Sequence, residues 1–440
     1  MKKPNFIVFL TDDQGYGDLS CMGCEDFRTP RLDRMAHDGA RFTDWYSNSP
    51  VCSPSRAALL SGRYPGNAGV RSILAGHRTA TGLPQSTPTL AYMTGKWHLG
   101  LDEDSQPQQH GFDHWYGFMA GCIDYYSHIF YWGMNNPGPG INPTHDLWED
   151  GQELWQDGQY FTEMITQKAL TYIRDAARDG RPFMLYVPYN APHYPMHAPK
   201  EYMDRFSELP WDRQVMAAML AAVDDSVGAI LDEVERLGLA EDTCSFFMAD
   251  NGPSRETRNW LDGTLDPYYG GSAGKLKGHK FSLYEGGMRV PGIMHWPGHI
   301  PGGQVLSDPC AAMDIFPTML NIAGGDVSQY EVDGMDILPY VAESEKLPER
   351  TIYWEMGKQT AVRKGKWKLV LNGQLVEGAD PDDAVHLANL EEDMGECNNL
   401  KDAEVELTAE LKSDAETWRG EIEQRWQREF SPKEQGTVTH

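Results

Sequence analysis

Two short acidic runs in this chain each follow a stretch of apolar residues. Asp12-Asp13 comes directly after residues 5–11, and Asp250-Asn251 directly after residues 244–249. Three carboxylates and an amide are hard oxygen donors, a set that suits Ca2+ or Mg2+ better than zinc. Adjacent carboxylates repel, and a divalent cation relieves the repulsion. A single aspartate after a strand is ordinarily a cap or a turn former, but two strand ends with the same chemistry favour a metal. Arg56, Lys96, His98, His193 and Lys280 are the basic counterpart. Together they would form a cationic pocket inside a chain whose formal net charge is −27. Cys52 opens the run Cys52-Ser53-Pro54-Ser55-Arg56. Pro54 suits the first turn of a helix, and there the helix N-terminus and Arg56 both favour an oxyanion. An unpaired cysteine in such a place is usually a small buried apolar residue, so its meaning depends on these partners.

The elements that must position these residues are legible from periodicity. Residues 5–10, 181–187 and 244–249 are continuous apolar runs of strand length, as expected for strands covered on both faces. Helical patterns at 160–178 and 212–237 precede the second and third runs. The later helix carries Met219, Val223, Val227, Ile230, Val234 and Leu237 on one stripe and stops at Gly238. Strands alternating with helices predict an α/β fold, a large mostly parallel or mixed sheet sandwiched by helices. In such sheets ligands gather at the carboxyl ends of the strands, where both acidic runs fall. After residue 345 the pattern changes. Residues 351–354 and 360–371 read as strands, the latter a hairpin turned at Lys364-Gly365. A last helix aligns Leu407, Leu411, Ala415, Trp418, Ile422 and Trp426. The expectation is a catalytic α/β domain over 1–345 and, over 346–440, a smaller four-stranded antiparallel sheet with a packed helix.

In this order, and over residues 5–399, the chain resembles the type I sulfatases of the alkaline phosphatase superfamily. The resemblance rests on Cys52-Ser53-Pro54-Ser55-Arg56, Gly95-Lys96-Trp97-His98-Leu99-Gly100, Asn190-Ala191-Pro192-His193 and Asp250-Asn251-Gly252. Pro30-Arg31-Leu32-Asp33, Gly334-Met335-Asp336 and Gly365-Lys366-Trp367-Lys368 add to it. It implies that a maturase converts Cys52 to formylglycine (3-oxoalanine), whose hydrate is a geminal diol. It implies that Asp12, Asp13, Asp250 and Asn251, with the modified Cys52, bind one Ca2+, with Mg2+ as the alternative. Arg56 would steady the hydrate, and Lys96, His98, His193 and Lys280 would hold the sulfate. His193 would protonate the departing sugar oxygen, and His98 would take the proton of the second hydroxyl. One departure stands out. Thr89-Leu90-Ala91 is followed by only three residues before Gly95-Lys96, about eleven fewer than the family pattern has. The position of the strand that should deliver Lys96 and His98 is therefore open.

Residues 124–155 are rich in aromatic side chains, and aromatic faces stack on sugar rings. Tyr125, Tyr126 and His197 are therefore candidate contacts to a substrate, with Arg71, His77 and His279 less constrained. The function expected is hydrolysis of the sulfate monoester of a sulfated sugar or oligosaccharide. The alternatives are an arylsulfatase or a phosphate or phosphonate monoester hydrolase of the same superfamily, and a catalytically silent binder of sulfated glycans. The net charge disfavours nucleic acid as a partner. There is no run of eighteen apolar residues, so no membrane is expected. The first ten residues mimic a signal peptide, but the apolar stretch is short and runs straight into Asp12, so it reads as a strand. A periplasmic or secreted location is expected if a leader was removed, and a cytoplasmic one otherwise. Seven cysteines at irregular spacing do not suggest a disulfide framework, and the Cys21–Cys24 pair lacks a second pair to complete a zinc site.

Overall fold

The computed structural model describes residues 3–85, 92–130, 144–255 and 270–430. Its centre is a ten-stranded sheet. In chain order the strands are β1 (Asn5–Thr11), β2 (Ala40–Phe42), β3 (Tyr92–Lys96), β4 (His114–Phe118), β5 (Trp148–Glu149), β6 (Gln152–Glu153), β7 (Met184–Pro188), β8 (Thr243–Ala249), β9 (Gly292–His295) and β10 (Gln304–Leu306). In space they run β10-β2-β9-β8-β1-β7-β3-β4-β5-β6. The five central strands, β8 to β4, are mutually parallel, whereas β9 pairs antiparallel with both β8 and β2, and β5 antiparallel with β4.

Side-chain alternation along β1 explains its continuous apolar sequence. Ile7 and Phe9 face one core with the helices α3 (Phe161–Asp179) and α4 (Trp211–Arg236), while Phe6, Val8 and Leu10 face the other. That second core holds Ala57, Leu59 and Leu60 of α2 (Cys52–Ser61). Helix α1 (Pro30–Asp38) joins the first layer through Leu32 and Met35. By length and composition α4 is apolar enough to cross a membrane, but most of its apolar residues are buried inside the molecule.

Strand β3 is in place despite the short connection ahead of it. Tyr92 and Met93 pair with Leu185 and Tyr186, and all five of its residues pair in register with β4. The preceding 86–91, with Thr89-Leu90-Ala91, lies outside the described residues. Two glycines allow the strands this close. A Cβ on Gly95 would lie 1.9 Å from the Pro188 carbonyl oxygen, and one on Gly117 would lie 1.9 Å from that of Gly95.

The C-terminal part is an antiparallel sheet of β11 (Thr351–Met356), β12 (Gln359–Lys364), β13 (Trp367–Gly373) and β14 (Asp383–Asn389), covered by a 25-residue helix, Val405–Glu429. The hairpin turns at Gly365-Lys366, one residue later than the sequence suggested. Lys364 pairs with Trp367, and Gly365 takes the left-handed φ of 57° that such a turn needs at its first central position.

Candidate active site

The carboxyl ends of β1, β3, β7 and β8 converge with the start of α2. Asp12 and Asp13 follow β1, Asp250 and Asn251 follow β8, and His193 lies on the loop after β7. Cys52 is the first residue of α2, and Arg56 lies one turn further on. One potential ligand atom from each of Asp12, Asp13, Cys52 and His193 lies within 4.8 Å of the others. Lys96 and Lys280 close the cluster by ion pairs to Asp12 and Asp13 respectively. All of these residues are buried. Asp13, His98 and Phe281, the last beside Lys280, take left-handed φ angles of 61°, 55° and 72°. Backbone strain of this kind gathers where a side chain must be aimed.

Hydrogen bonds fix the acidic corner. Arg56 reaches Asp250 Oδ2 from both Nε (3.2 Å) and Nη2 (2.9 Å), and donates from Nη1 to the Lys96 carbonyl at 2.8 Å. It thus holds the acidic corner and the end of β3 together. Asn251 donates to Asp13 Oδ1 at 2.7 Å, which leaves its own Oδ1 buried with no hydrogen-bond partner, as is Oδ1 of Asp12. Buried acceptors without donors are costly. Burial, and then the neighbouring Asp12 charge, pushes the Asp250 carboxyl up to about 7. Burial would raise Asp13 as well, but Lys280, His193 and the Asn251 amide hold it down at about 2. Unsatisfied oxygens among crowded carboxylates fit a divalent cation.

The Cys52 thiol is pushed up to about 12 by burial and by Asp12 and Asp250, against the pull of Lys96 and Lys280. As encoded it stays protonated at neutral pH, so the thiol itself is no ready nucleophile. His193 donates from Nδ1 to the Tyr194 carbonyl at 2.6 Å, which fixes its tautomer. Its Nε2 lies 3.4 Å from Lys280 Nζ and 3.6 Å from Asp13. His98 donates from Nε2 to the Leu74 carbonyl at 3.2 Å, leaving Nδ1 buried without a partner. Burial, then Lys96 and Arg56, hold His98 well below the usual histidine range. It is a neutral imidazole with an available lone pair.

The expected sugar contacts fare differently. Tyr125 is fully buried, and its hydroxyl is shared between the carbonyls of Asn190 (2.7 Å) and His193 (2.9 Å). It supports the His193 loop rather than offering a stacking face, a correction to the sequence reading. Tyr126 packs against Tyr160 and His197, and His197 lies 3.4 Å from Asp124. Arg71 is bound by Glu355 and Glu423, so it ties the C-terminal part to the rest. His77 contacts Thr79, and the His279 amide donates to the Leu375 carbonyl. Residues 131–143, with Tyr131 and Trp132, lie outside the described residues. One support escaped the sequence reading: Ser47 donates to the Asp250 carbonyl and bonds Ser55 of α2. Asn190, which opens the Asn190-Ala191-Pro192-His193 motif, has both side-chain polar atoms buried without partners.

Comparison with known proteins agrees with this geometry. The family described as Sulfatase matches residues 4–325, and the one described as N-sulphoglucosamine sulphohydrolase, C-terminal, matches 278–420. N-acetylgalactosamine-6-sulfatase of Mus musculus is 34% identical over 391 residues, spanning 83% of this chain and 71% of that protein. Arylsulfatase A of Bos taurus is 32% identical over 459 residues, spanning 92% and 85%. Among solved structures, Ps i-CgsB in complex with k-i-k-neocarrahexaose superposes with a TM-score of 0.83 at 30% identity, covering 94% of this chain and 92% of that one. The phosphonate monoester hydrolase of Agrobacterium radiobacter shares the fold, with a TM-score of 0.61 at 16% identity and 96% of each chain covered.

Proposed function

The chain belongs to the sulfatase family, and from that premise we propose that it hydrolyses the sulfate monoester of a sulfated carbohydrate, using a formylglycine made from Cys52 and a Ca2+ held by Asp12, Asp13, Asp250 and Asn251. One observation carries the reading: Cys52, at a helix N-terminus, shares a buried cluster with Asp12, Asp13 and His193, flanked by Lys96, Lys280 and Arg56. The carbohydrate preference is supported by the mouse relative, named for a sugar sulfate, and by the neocarrahexaose bound to the 30% identical structure.

When bound, the ion and the formylglycine hydrate would supply a Lewis acid and an oxygen nucleophile at residue 52. The remaining work falls to encoded side chains. Lys96 and Lys280 place positive charge beside residue 52, a preorganised counterweight to a sulfuryl group in a protein of opposite overall charge. Arg56 draws the buried Asp250 carboxyl toward its ionised form, against burial and Asp12, and fixes its orientation. His193, with Nδ1–H committed to the Tyr194 carbonyl, acts as the imidazolium: only in that doubly protonated form does Nε2, 3.6 Å from Asp13, carry a proton to give to the leaving alcohol. His98, neutral and with Nδ1 free of hydrogen bonds, accepts a proton from the residue 52 side. Cys52 is 2% exposed, so a maturase must reach it before the fold closes.

The test is a screen of defined sulfated mono- and oligosaccharides, with aryl sulfate, phosphate and phosphonate alongside, using chain co-expressed with a formylglycine-generating maturase. Sulfate release from a sugar, with an aldehyde at residue 52 by peptide mass and no activity in Cys52→Ala, is expected. A thiol in every preparation with no turnover would sink the proposal. Faster turnover of phosphonate than of any sulfate would reassign the reaction.

A further inference from the structure

Away from this cluster, a second group of potential ligands lies beside the loop that carries Tyr125. His128 precedes the short strand Ile129–Phe130, His145 ends its partner strand Thr144–His145, and Asp157 sits in the turn before α3. One ligand atom from each of the three lies within 4.8 Å of the others. His128 and His145 are 0% and 6% exposed. The inner nitrogens, His128 Nδ1 and His145 Nε2, are buried and have no hydrogen-bond partner.

The outer nitrogens are both committed. His128 Nε2 donates to the Gln159 carbonyl at 3.2 Å, and His145 Nδ1 donates to Glu153 Oε1 at 3.1 Å. Glu153 is itself held by Arg78 at 3.0 Å. A ring whose outer N–H is fixed by a carbonyl or carboxylate presents a bare lone pair on its inner nitrogen. Protein histidines that bind metals are oriented in this way. An ordinary edge-to-face pair would account for the 83° angle between the rings, but not for two buried lone pairs left without donors. Trp155 lies flat on His145 at 3.8 Å and restrains that ring. His128 also takes a left-handed φ of 55°, a conformation that aims its side chain at a local cost.

We propose that His128 Nδ1, His145 Nε2 and an Asp157 carboxylate oxygen bind a second metal ion, Zn2+, distinct from the one in the active-site corner. Two imidazoles and one carboxylate suit zinc, where an all-oxygen corner suits Ca2+. Zinc–ligand bonds of about 2.0–2.1 Å place neighbouring donors about 3.4 Å apart, so from separations of up to 4.8 Å a contraction of at most about 1.4 Å completes the site. A fourth position stays open to water on the exposed Asp157 side. The ion would be structural. It would pin both short strands to the turn before α3, three residues from Tyr125, whose hydroxyl braces the His193 loop through the carbonyls of Asn190 and His193.

The full chain, kept in millimolar Ca2+ to saturate the oxygen corner, is titrated with Zn2+ and with Co2+ as a visible-absorption probe. About one Zn2+ per chain is expected to survive gel filtration. Uptake should weaken at least about tenfold in His145→Gln and in Asp157→Asn, and Cys52→Ala should keep it. Because Asp157 is exposed, Asp157→Asn tests the site even if the histidine variant does not fold. The proposal is overturned if the wild type retains no Zn2+, if Asp157→Asn and His145→Gln retain as much as the wild type, or if Cys52→Ala alone abolishes uptake.

Discussion

At the scale of single residues, the two active-site histidines are distinguished by their hydrogen bonds. His193 gives Nδ1–H to Tyr194 and keeps Nε2 toward Lys280 and Asp13, so as an imidazolium it can donate from Nε2 and nowhere else. His193→Ala should therefore slow a sugar sulfate, whose alkoxide needs a proton, by about a hundredfold or more. An activated aryl sulfate should suffer far less, and equal losses in kcat for the two substrates would refute the assignment. His98 depends on a neighbour that has no side chain. A Cβ on Gly121 would come within 2.9 Å of its ring, so Gly121→Ala must displace the imidazole from the Leu74 carbonyl. A shift of that size should lower kcat by about tenfold to a hundredfold and leave KM for a sugar sulfate nearly unchanged. Activity equal to the wild type would show that His98 is not positioned by this contact.

At the scale of elements, the site is a set of strand and helix ends, and their anchoring carries its own titration. The first turn of α1 is capped from another helix: Asp224 of α4 accepts the amides of Arg31 at 3.1 Å and Leu32 at 2.8 Å. Burial raises this carboxyl to about 6, although the two amides pull it down. The folded value exceeds the unfolded one of about 3.9, so proton binding adds stability that is full below about pH 4 and is lost as pH rises through about 6. Asp224→Asn cannot titrate, so the wild type should gain on it as pH falls from 7 to 4, measured by urea midpoints. Asp224→Ala should cost about 1–2 kcal/mol at pH 7 and more as pH falls, since alanine cannot take up the proton either. The strands that matter here were readable because β1, β7 and β8 are covered on both faces and keep unbroken apolar sequences. The rim strands β2, β9 and β10 have three or four residues each, too few for any period, and their direction depends on partners far along the chain. The acidic corner and most of the cationic residues were legible because they sit just past a strand or at a helix start, whereas Lys280 lies on a long loop ahead of Glu285. Tyr125 was misread because an aromatic residue looks the same in sequence whether its hydroxyl braces a loop or its face meets a sugar. His128, His145 and Asp157 gave no signal, since only the folding of the 124–157 segment brings them together.

At the scale of the whole molecule, the boundary expected near residue 345 separates two sheets but not two independent cores. Tyr46, Leu283, Tyr284 and Met288 from the large part share one apolar cluster with Trp354, Ala361, Val370 and Ile422 from the C-terminal part. Through this interface runs a buried chain of charges. Arg363 pairs with Asp44 at 2.6 Å, Arg289 pairs with Asp44 and Glu285, and Lys368 bridges Glu285 (2.8 Å) and Glu396 (3.2 Å). Glu285 follows Lys280 by five residues, so the second sheet anchors the loop that brings Lys280 to the active site. Removing one member of a buried ion pair leaves the other uncompensated, at a cost of about 3–5 kcal/mol. Lys368→Met should therefore lower the melting temperature and, through the Lys280 loop, reduce kcat. A fragment ending at residue 345 loses Lys368, Arg363, Glu396 and half of the apolar cluster together. It leaves Asp44, Glu285 and Arg289 facing water beside bare aromatic rings, and it should be recovered only as insoluble protein. A soluble 1–345 fragment that unfolds cooperatively and still releases sulfate would show instead that the catalytic part folds without its neighbour.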